Sequence, residues 1–322
     1  MKSLEHAVAP ASQAGQSGVL ALANENRLEG STYSEAVTEF VVGVLGSDLM
    51  PLQTELDMLA PPVRTARRFE YMTSPAGLSF LADQDDERAI GADFRKLDAR
   101  GTTVSAKTAN RGLSYTLDRD EMVDGSLEQT AKWLTAILLR NDLLRVNAVL
   151  AAAATNTNVT FSSSTDPDGL IETGLLAAHG ARGIYPNIVV SGMTAWAYRK
   201  AAYRASTKAG SLSLAAMTPS DVAGVLGVDK FHVSKTVTKP TKSGSKTAFM
   251  SNLIYAYYTD DVVSKDDASN IKRFWTPCDG GEQFRVYVDD SKAKTVEVVV
   301  EQYSTIAATD TTGIRKFTVS DS

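Results

Sequence analysis

The stretch Lys107-Thr108-Ala109-Asn110-Arg111-Gly112-Leu113-Ser114-Tyr115-Thr116-Leu117, with Ser126-Leu127-Glu128-Gln129 close behind it, sets the order of parts in this chain. Val104, Ala106 and Thr108, and again Leu113, Tyr115 and Leu117, alternate with polar residues in the period-two pattern of half-buried strands. Ser126-Leu127-Glu128-Gln129 matches a capping box, in which Ser126 and Gln129 satisfy the first free amides of a helix. Leu127, Ala131, Leu134, Ile137, Leu138, Leu144 and Ala148 then continue as an apolar stripe toward Thr155. At 1.5 Å per residue this predicts a helix roughly 40 Å long, enough to cross a domain. A long, polar, strand-like segment from Arg64 to Asp120 therefore feeds a structural spine. Two-stranded ribbons are marginal in water, so a hairpin of that length calls for a partner surface. The chain reads first as a self-assembling subunit.

Charge is unevenly placed along the hairpin. Arg64, Arg67 and Arg68 stand at its base beside Phe69 and Tyr71, while Asp83, Asp85, Asp86 and Glu87, followed by Arg88, gather toward its tip. These eight charged residues are the candidate inter-subunit contacts. As a calcium loop the acidic cluster fails, because counting Asp83 as the first position puts Arg88 where glycine is needed. The double substitution Asp85→Lys and Asp86→Lys is expected to leave the subunit folded and to impair assembly through like-charge repulsion. Normal particles from that variant in electron micrographs would remove the tip from the interface.

Upstream, residues 1–31 are rich in Ala, Ser, Gly and Gln and hold too few large apolar groups to offset the entropy of ordering, so they read as a mobile arm. Tyr33, Ala36, Val37, Phe40, Val41 and Val44 predict a short amphipathic helix ending near Gly46, with Ser31 or Thr32 as its cap. Pro51, Pro61 and Pro62 make Leu49–Val63 a connector. Downstream, Thr155–Gly169 reads as a polar loop closing in the turn Asp166-Pro167-Asp168-Gly169. Helices are expected around Leu170–Ala178, through Trp196, Tyr198 and Ala201, and after Thr218-Pro219-Ser220-Asp221. Strands are expected at Ile188–Val190, Phe231–Val233 and Leu253–Tyr258, an α/β or α+β layer. Gln283–Val288 and Thr295–Thr305 read as closing strands, with Lys316–Val319 a short last one.

Composition narrows the function. The 322 residues are 43% hydrophobic and 22% charged with a net charge of -5, which suits a globular protein and argues against a dedicated nucleic-acid binder. Cys278 stands alone, so no intrachain disulfide forms. His6, His179 and His232 lack the paired spacing of a metal helix. Lys242-Ser243-Gly244-Ser245-Lys246-Thr247 has Ser245 and Pro240 where a phosphate loop needs glycines, and reads as a surface loop. Asn158-Val159-Thr160 fits a glycosylation pattern that, without a secretory signal, is read as chance. Trp133 and Trp196 read as packing residues, and Trp275 as an anchor between domains. No catalytic, cofactor-binding or metal residue is assigned, and the expectation is that the protein is not an enzyme and takes no cofactor.

These parts together resemble the tailed-bacteriophage major capsid protein family, whose fold is shared with encapsulins. The resemblance rests on the polar arm, the hairpin ending in Lys107–Tyr115, the spine helix, Asn187-Ile188-Val189-Val190-Ser191-Gly192 with a Trp-bearing helix after it, and the Val-rich strands through Gln302-Tyr303. It implies an α+β subunit: an N-terminal arm and short helix over 1–63 and an extended β-hairpin loop over 64–120. A peripheral domain of spine helix and long antiparallel sheet would take 121–154 and 279–322, and an axial α/β domain 155–278. It further implies pentamers and hexamers of one chain, closing an icosahedral shell around double-stranded DNA bound without sequence specificity. Partners would be further copies of the chain, a separate scaffolding protein if any, and portal and decoration proteins, with no membrane. The location would be the virion capsid, assembled in the host cytoplasm. Some relatives join loop to neighbour by a lysine–asparagine isopeptide bond; Lys96 and Lys107 are present, but Asn270 is the last asparagine and precedes the closing strands, so covalent linkage is not expected. The alternatives are an encapsulin-like nanocompartment holding a tagged cargo protein and, from another class, a soluble α/β enzyme.

Overall fold

A computed structural model describes residues 32–45, 49–73, 87, 93, 102–239, 244–260, 268–278 and 281–321. The chain enters through β1 (Thr32–Tyr33), helices α1 (Glu35–Leu45) and α2 (Met50–Leu59), and strands β2 (Pro62–Arg64), β3 (Arg68–Met72), β4 (Thr103–Lys107) and β5 (Ala109–Asp118). The spine helix α3 (Ser126–Ala153) follows, then β6 (Thr155–Phe161), α4 (Pro167–Arg182), β7 (Ile188–Gly192), α5 (Met193–Ala205), α6 (Ser211–Ala216) and α7 (Pro219–Leu226). Strands β8 (Lys230–Ser234), β9 (Val237–Thr238), β10 (Thr247–Ala248), β11 (Leu253–Tyr257), β12 (Ile271–Thr276), β13 (Phe284–Asp289), β14 (Thr295–Ala308) and β15 (Arg315–Asp321) complete it.

The 14-residue β14 organises the first sheet. Its early residues pair β13 and its later ones β12, so those two lie end to end along one side, while β5 pairs Thr295–Ser304 along the other. Strand β1 extends the sheet beyond β13, and β2 lies parallel to β12. Val296, Val298 and Val300 turn inward, and Val298 and Val300 join α3, whose Leu134, Leu138, Leu139, Leu143, Val146 and Leu150 are buried in one core with Val41, Leu56 and Leu59 of α1 and α2. The stripe expected from sequence is thus present, except that Leu144 and Ala148 are exposed.

The second sheet runs β6-β15-β11-β7-β8. All five residues of β7 are buried, because Val189 meets a core with α4, α5 and α7 on one face while Ile188 and Val190 join the α3 core on the other. Coverage on both faces is what makes this strand read as an unbroken apolar run.

Several expectations are corrected. Leu49–Val63 holds the helix α2, since Pro51 sits in its first turn, where a missing N–H costs nothing. Pro167 likewise opens α4, with Asp166 at its cap, and Thr155–Phe161 is a strand parallel to β15. The spine helix begins without the expected capping box: Gly125, at a φ of 82° that only glycine adopts cheaply, is its N-cap, and the Ser126 hydroxyl accepts from the Val123 amide instead. Among the described residues of the expected 64–120 hairpin, only β3 and β4 pair with each other; β5 and β2 are captured by the first sheet. The last strand, β15, belongs to the second sheet and β12 to the first, so a sequence boundary at 279 does not separate the sheets. The chain crosses between them three times, through α3 after β5, then after β11 and again after β14.

Candidate assembly surfaces

The β3–β4 ribbon stands outside both sheets, with Arg68 facing Lys107 and Tyr71 facing Val104. Alternation gives it two unlike faces. Phe69, Tyr71, Val104 and Ala106 turn toward Phe274 and Val63, with ring centroids 4.5 Å apart for Phe69–Phe274 and 5.1 Å for Tyr71–Phe274. The opposite face presents Arg68, Glu70, Ser105 and Lys107 to solvent, and the Ser105 hydroxyl donates to Glu70 over 3.1 Å. The ribbon is therefore anchored by one small aromatic cluster, and its outer face is polar apart from the exposed Met72.

The three base arginines come together there. Arg64 on β2 lies 6.0 Å from the Trp275 ring, Arg67 lies 4.9 Å from the Tyr303 ring, and Arg68 is exposed on β3. The planar cations of Arg64 and Arg67 rest on aromatic rings while their outward side stays wet. Glu87 is exposed; Asp83, Asp85, Asp86 and Arg88 lie outside the described residues. Lys107, facing Arg68 across the ribbon, adds to this basic base, a juxtaposition that only the strand register reveals.

A second surface was missed in the sequence. Tyr115 on β5 and Trp133 on α3 meet edge to face at 5.3 Å, yet remain 45% and 50% exposed. Trp133 was expected to be a packing residue. It lies instead over the border between spine helix and sheet, beside β5, which pairs only β14 among the described strands. A long strand edge next to exposed aromatic area is a natural place for another chain to add.

Buried polar joints hold these surfaces in place. Where the chain crosses between sheets, the Arg182 guanidinium donates to Asn270 Oδ1 and to the Ala268 carbonyl, sits 3.2 Å from Asp310 and lies 5.4 Å from the Tyr258 ring. Asn270 Nδ2 in turn donates to the carbonyls of Asp310 and Thr312 at 2.7 and 2.9 Å. The crossings after β11 and after β14 are thus both tied to the end of α4. Within the second sheet's helical layer Arg199 grips Asp168 through two 2.7 Å bonds and is 1% exposed. On the spine helix the wholly buried Asp142 pairs with Arg145 and accepts from Gln302 of β14 at 2.8 Å.

Glu55 of α2 reaches the second sheet, accepting from Thr236 Oγ1 at 2.6 Å with His232 Nε2 at 3.5 Å. Burial pushes this carboxyl up, but the Thr236 hydrogen bond and the nearby His232 and Ser234 side chains outweigh it and hold it below the ordinary value. His232 therefore has a structural partner, and His179 lies against Tyr185 at 6.0 Å; His6 lies outside the described residues. Among the described residues no group of three His, Cys, Asp or Glu side chains is arranged to hold a metal, and no helix is long and apolar enough to cross a membrane.

No family model matches the sequence, and no curated protein matches it. Solved structures do match. A phage-related protein from Bordetella bronchiseptica superposes with a TM-score of 0.63 at 16% identity, over 89% of this chain and 97% of that one. The Gordonia phage Cozz structure gives 0.51 at 11% identity, covering 82% and 86% of the two chains. The capsid structure of the cyanophage P-SCSP1u gives 0.51 at 9% identity, covering 82% and 87%. Coverage of 82–89% of this chain and 86–97% of the other chains means that the likeness extends over most of the fold, rather than one local motif. The chain has the phage major capsid protein fold.

Proposed function

We propose that this protein is a major capsid protein that assembles through pentamers and hexamers into an icosahedral shell around double-stranded DNA. The observation that carries the reading is the β3–β4 ribbon: a two-stranded element outside both sheets, anchored by one aromatic cluster and basic at its base, within a chain of capsid fold. In this reading the ribbon belongs to an extended loop that lies over a neighbouring subunit, and its arginines meet acidic residues of that neighbour. The first sheet with α3 forms the peripheral part and the second sheet with its helices the axial part. Each interface is repeated by symmetry, so contacts that are individually weak add up to a closed shell. The mechanism is geometric and calls on no catalytic group. Assembly in the host cytoplasm, with portal, decoration or scaffolding proteins as partners, belongs to the same reading.

The test is negative-stain electron microscopy of purified protein with nuclease-protected DNA measured in the fast-sedimenting fraction. Closed shells containing DNA are expected. Shells filled with protein would move the reading to a nanocompartment, and a monodisperse monomer would overturn it.

A further inference from the structure

The chain is acidic overall, yet from Lys230 to Thr259 it carries Lys230, Lys235, Lys239, Lys242, Lys246 and His232 and not one carboxylate. The structure gives this run a shape. Strands β9 and β10 pair only with each other, Thr238 facing Thr247 and Val237 facing Ala248, and so form a small ribbon separate from both sheets. Its root is fixed: the Phe249 amide donates to the Thr236 carbonyl at 2.8 Å, Thr236 Oγ1 holds Glu55 at 2.6 Å, and Phe249 and Met250 are 2% and 4% exposed. Lys235 stands at the foot of that root and Lys239, Lys246 and Thr247 beyond it, all exposed, with Val237 the exposed apolar residue between them.

Continued one position outward, the register sets Lys239 beside Lys246. Like charges across an antiparallel pair repel, and among the described residues neither these two nor Lys235 has a carboxylate partner. An arrangement that concentrates unneutralised ammonium groups on a fixed stalk is stabilised by an anion that bridges them. The residue types indicate which anion. Protein interfaces enrich arginine and aromatic side chains and deplete lysine, whereas flexible ammonium groups with hydroxyls beside them suit phosphate oxygens and read no sequence. Here the exposed polar set is lysine and threonine, with Val237 the one large apolar side chain and no arginine or aromatic residue among the described residues of the ribbon.

We infer that the β9–β10 ribbon is a sequence-independent contact for the phosphate backbone of double-stranded DNA, made by Lys235, Lys239 and Lys246. The choice of duplex DNA as the polyanion rests on the capsid reading; the anion-binding property does not. It also refines the expectation from net charge, since an acidic chain can still concentrate phosphate affinity at one projecting element.

The test measures binding of a random-sequence DNA duplex to the full chain over a salt series, comparing wild type with the triple variant Lys235→Gln, Lys239→Gln, Lys246→Gln. A control triple variant, Arg204→Gln, Lys208→Gln, Lys292→Gln, removes the same charge elsewhere. Loss of three phosphate contacts should flatten the slope of log affinity against log salt by about 2.7 in the first variant, with little change in the control. A triple Lys→Arg variant should restore the slope, which excludes misfolding as the cause. An equal loss in both glutamine variants, or no loss in the first, overturns the inference, as does a wild type that binds no DNA. An acidic peptide that competes for the ribbon better than DNA would overturn it in favour of a protein partner. Electron microscopy of the same preparations separates the two claims: shells with an unchanged slope leave the capsid reading standing without this contact, and a changed slope without shells does the reverse.

Discussion

The second sheet and the β3–β4 ribbon are both strands with apolar residues at alternate or consecutive positions, but they differ in what covers them. Strand β7 is buried at every residue, between the α3 core and the layer of α4, α5 and α7, and that layer is locked by the Arg199–Asp168 pair. The ribbon has one face on Phe274 and Val63 and the other in solvent. The difference teaches where this molecule is complete by itself and where, in the proposed reading, another copy completes it.

The largest expected effect breaks the complete region. Arg199→Ala leaves Asp168 as an unpaired buried charge and should cost about 3–5 kcal/mol in denaturant unfolding. If the subunit tolerates it with no loss, the second sheet is not the self-sufficient part. Gly192→Ala probes the same region at its backbone, because a Cβ there would overlap the Ser251 carbonyl. Shifting one strand end costs about 1–3 kcal/mol, to be read as a lowered midpoint.

The ribbon should respond in the opposite way. Phe69→Leu keeps an apolar group against Phe274 but removes the aromatic contacts, worth about 0.5–1.5 kcal/mol to the isolated subunit. Its effect on shell yield is expected to exceed that small loss, because every copy in a shell repeats it. Thermal unfolding and particle counts on the same sample compare the two effects.

The smallest expected effect concerns the joint between regions. The Glu55 carboxyl is held below its ordinary value of 4.5 in the folded chain. Its contribution to stability is complete above that value and is lost as pH falls through the lower folded one. Glu55→Gln should flatten the acid limb of stability against pH in that window, and an unchanged limb would remove His232 and Thr236 as its stabilising partners.

Much of the fold is legible in the sequence because periodicity reports burial. The spine stripe, β7, β14 and the cap at Thr218, whose box with Asp221 is formed, all follow from local pattern. Partner choice is less legible. Nothing in Lys316–Val319 distinguishes pairing with β11 and β6 from pairing with β14, and Leu113–Leu117 alternates equally well for a hairpin or for the long sheet. Pro51 and Pro167 mislead because proline is as much at home in a helix's first turn as in a connector. Among the surfaces, the base arginines are visible as a charge run, but the exposure of Trp133 depends on where β5 leaves the helix uncovered.

Hydrogen exchange on assembled and dissociated protein tests the central claim most directly. Amides of residues 188–192 and 253–257 should be protected in both states, and those of 68–72 and 103–107 strongly protected only in the assembled one. Equal protection of the ribbon in both states would contradict the claim that neighbouring copies complete it.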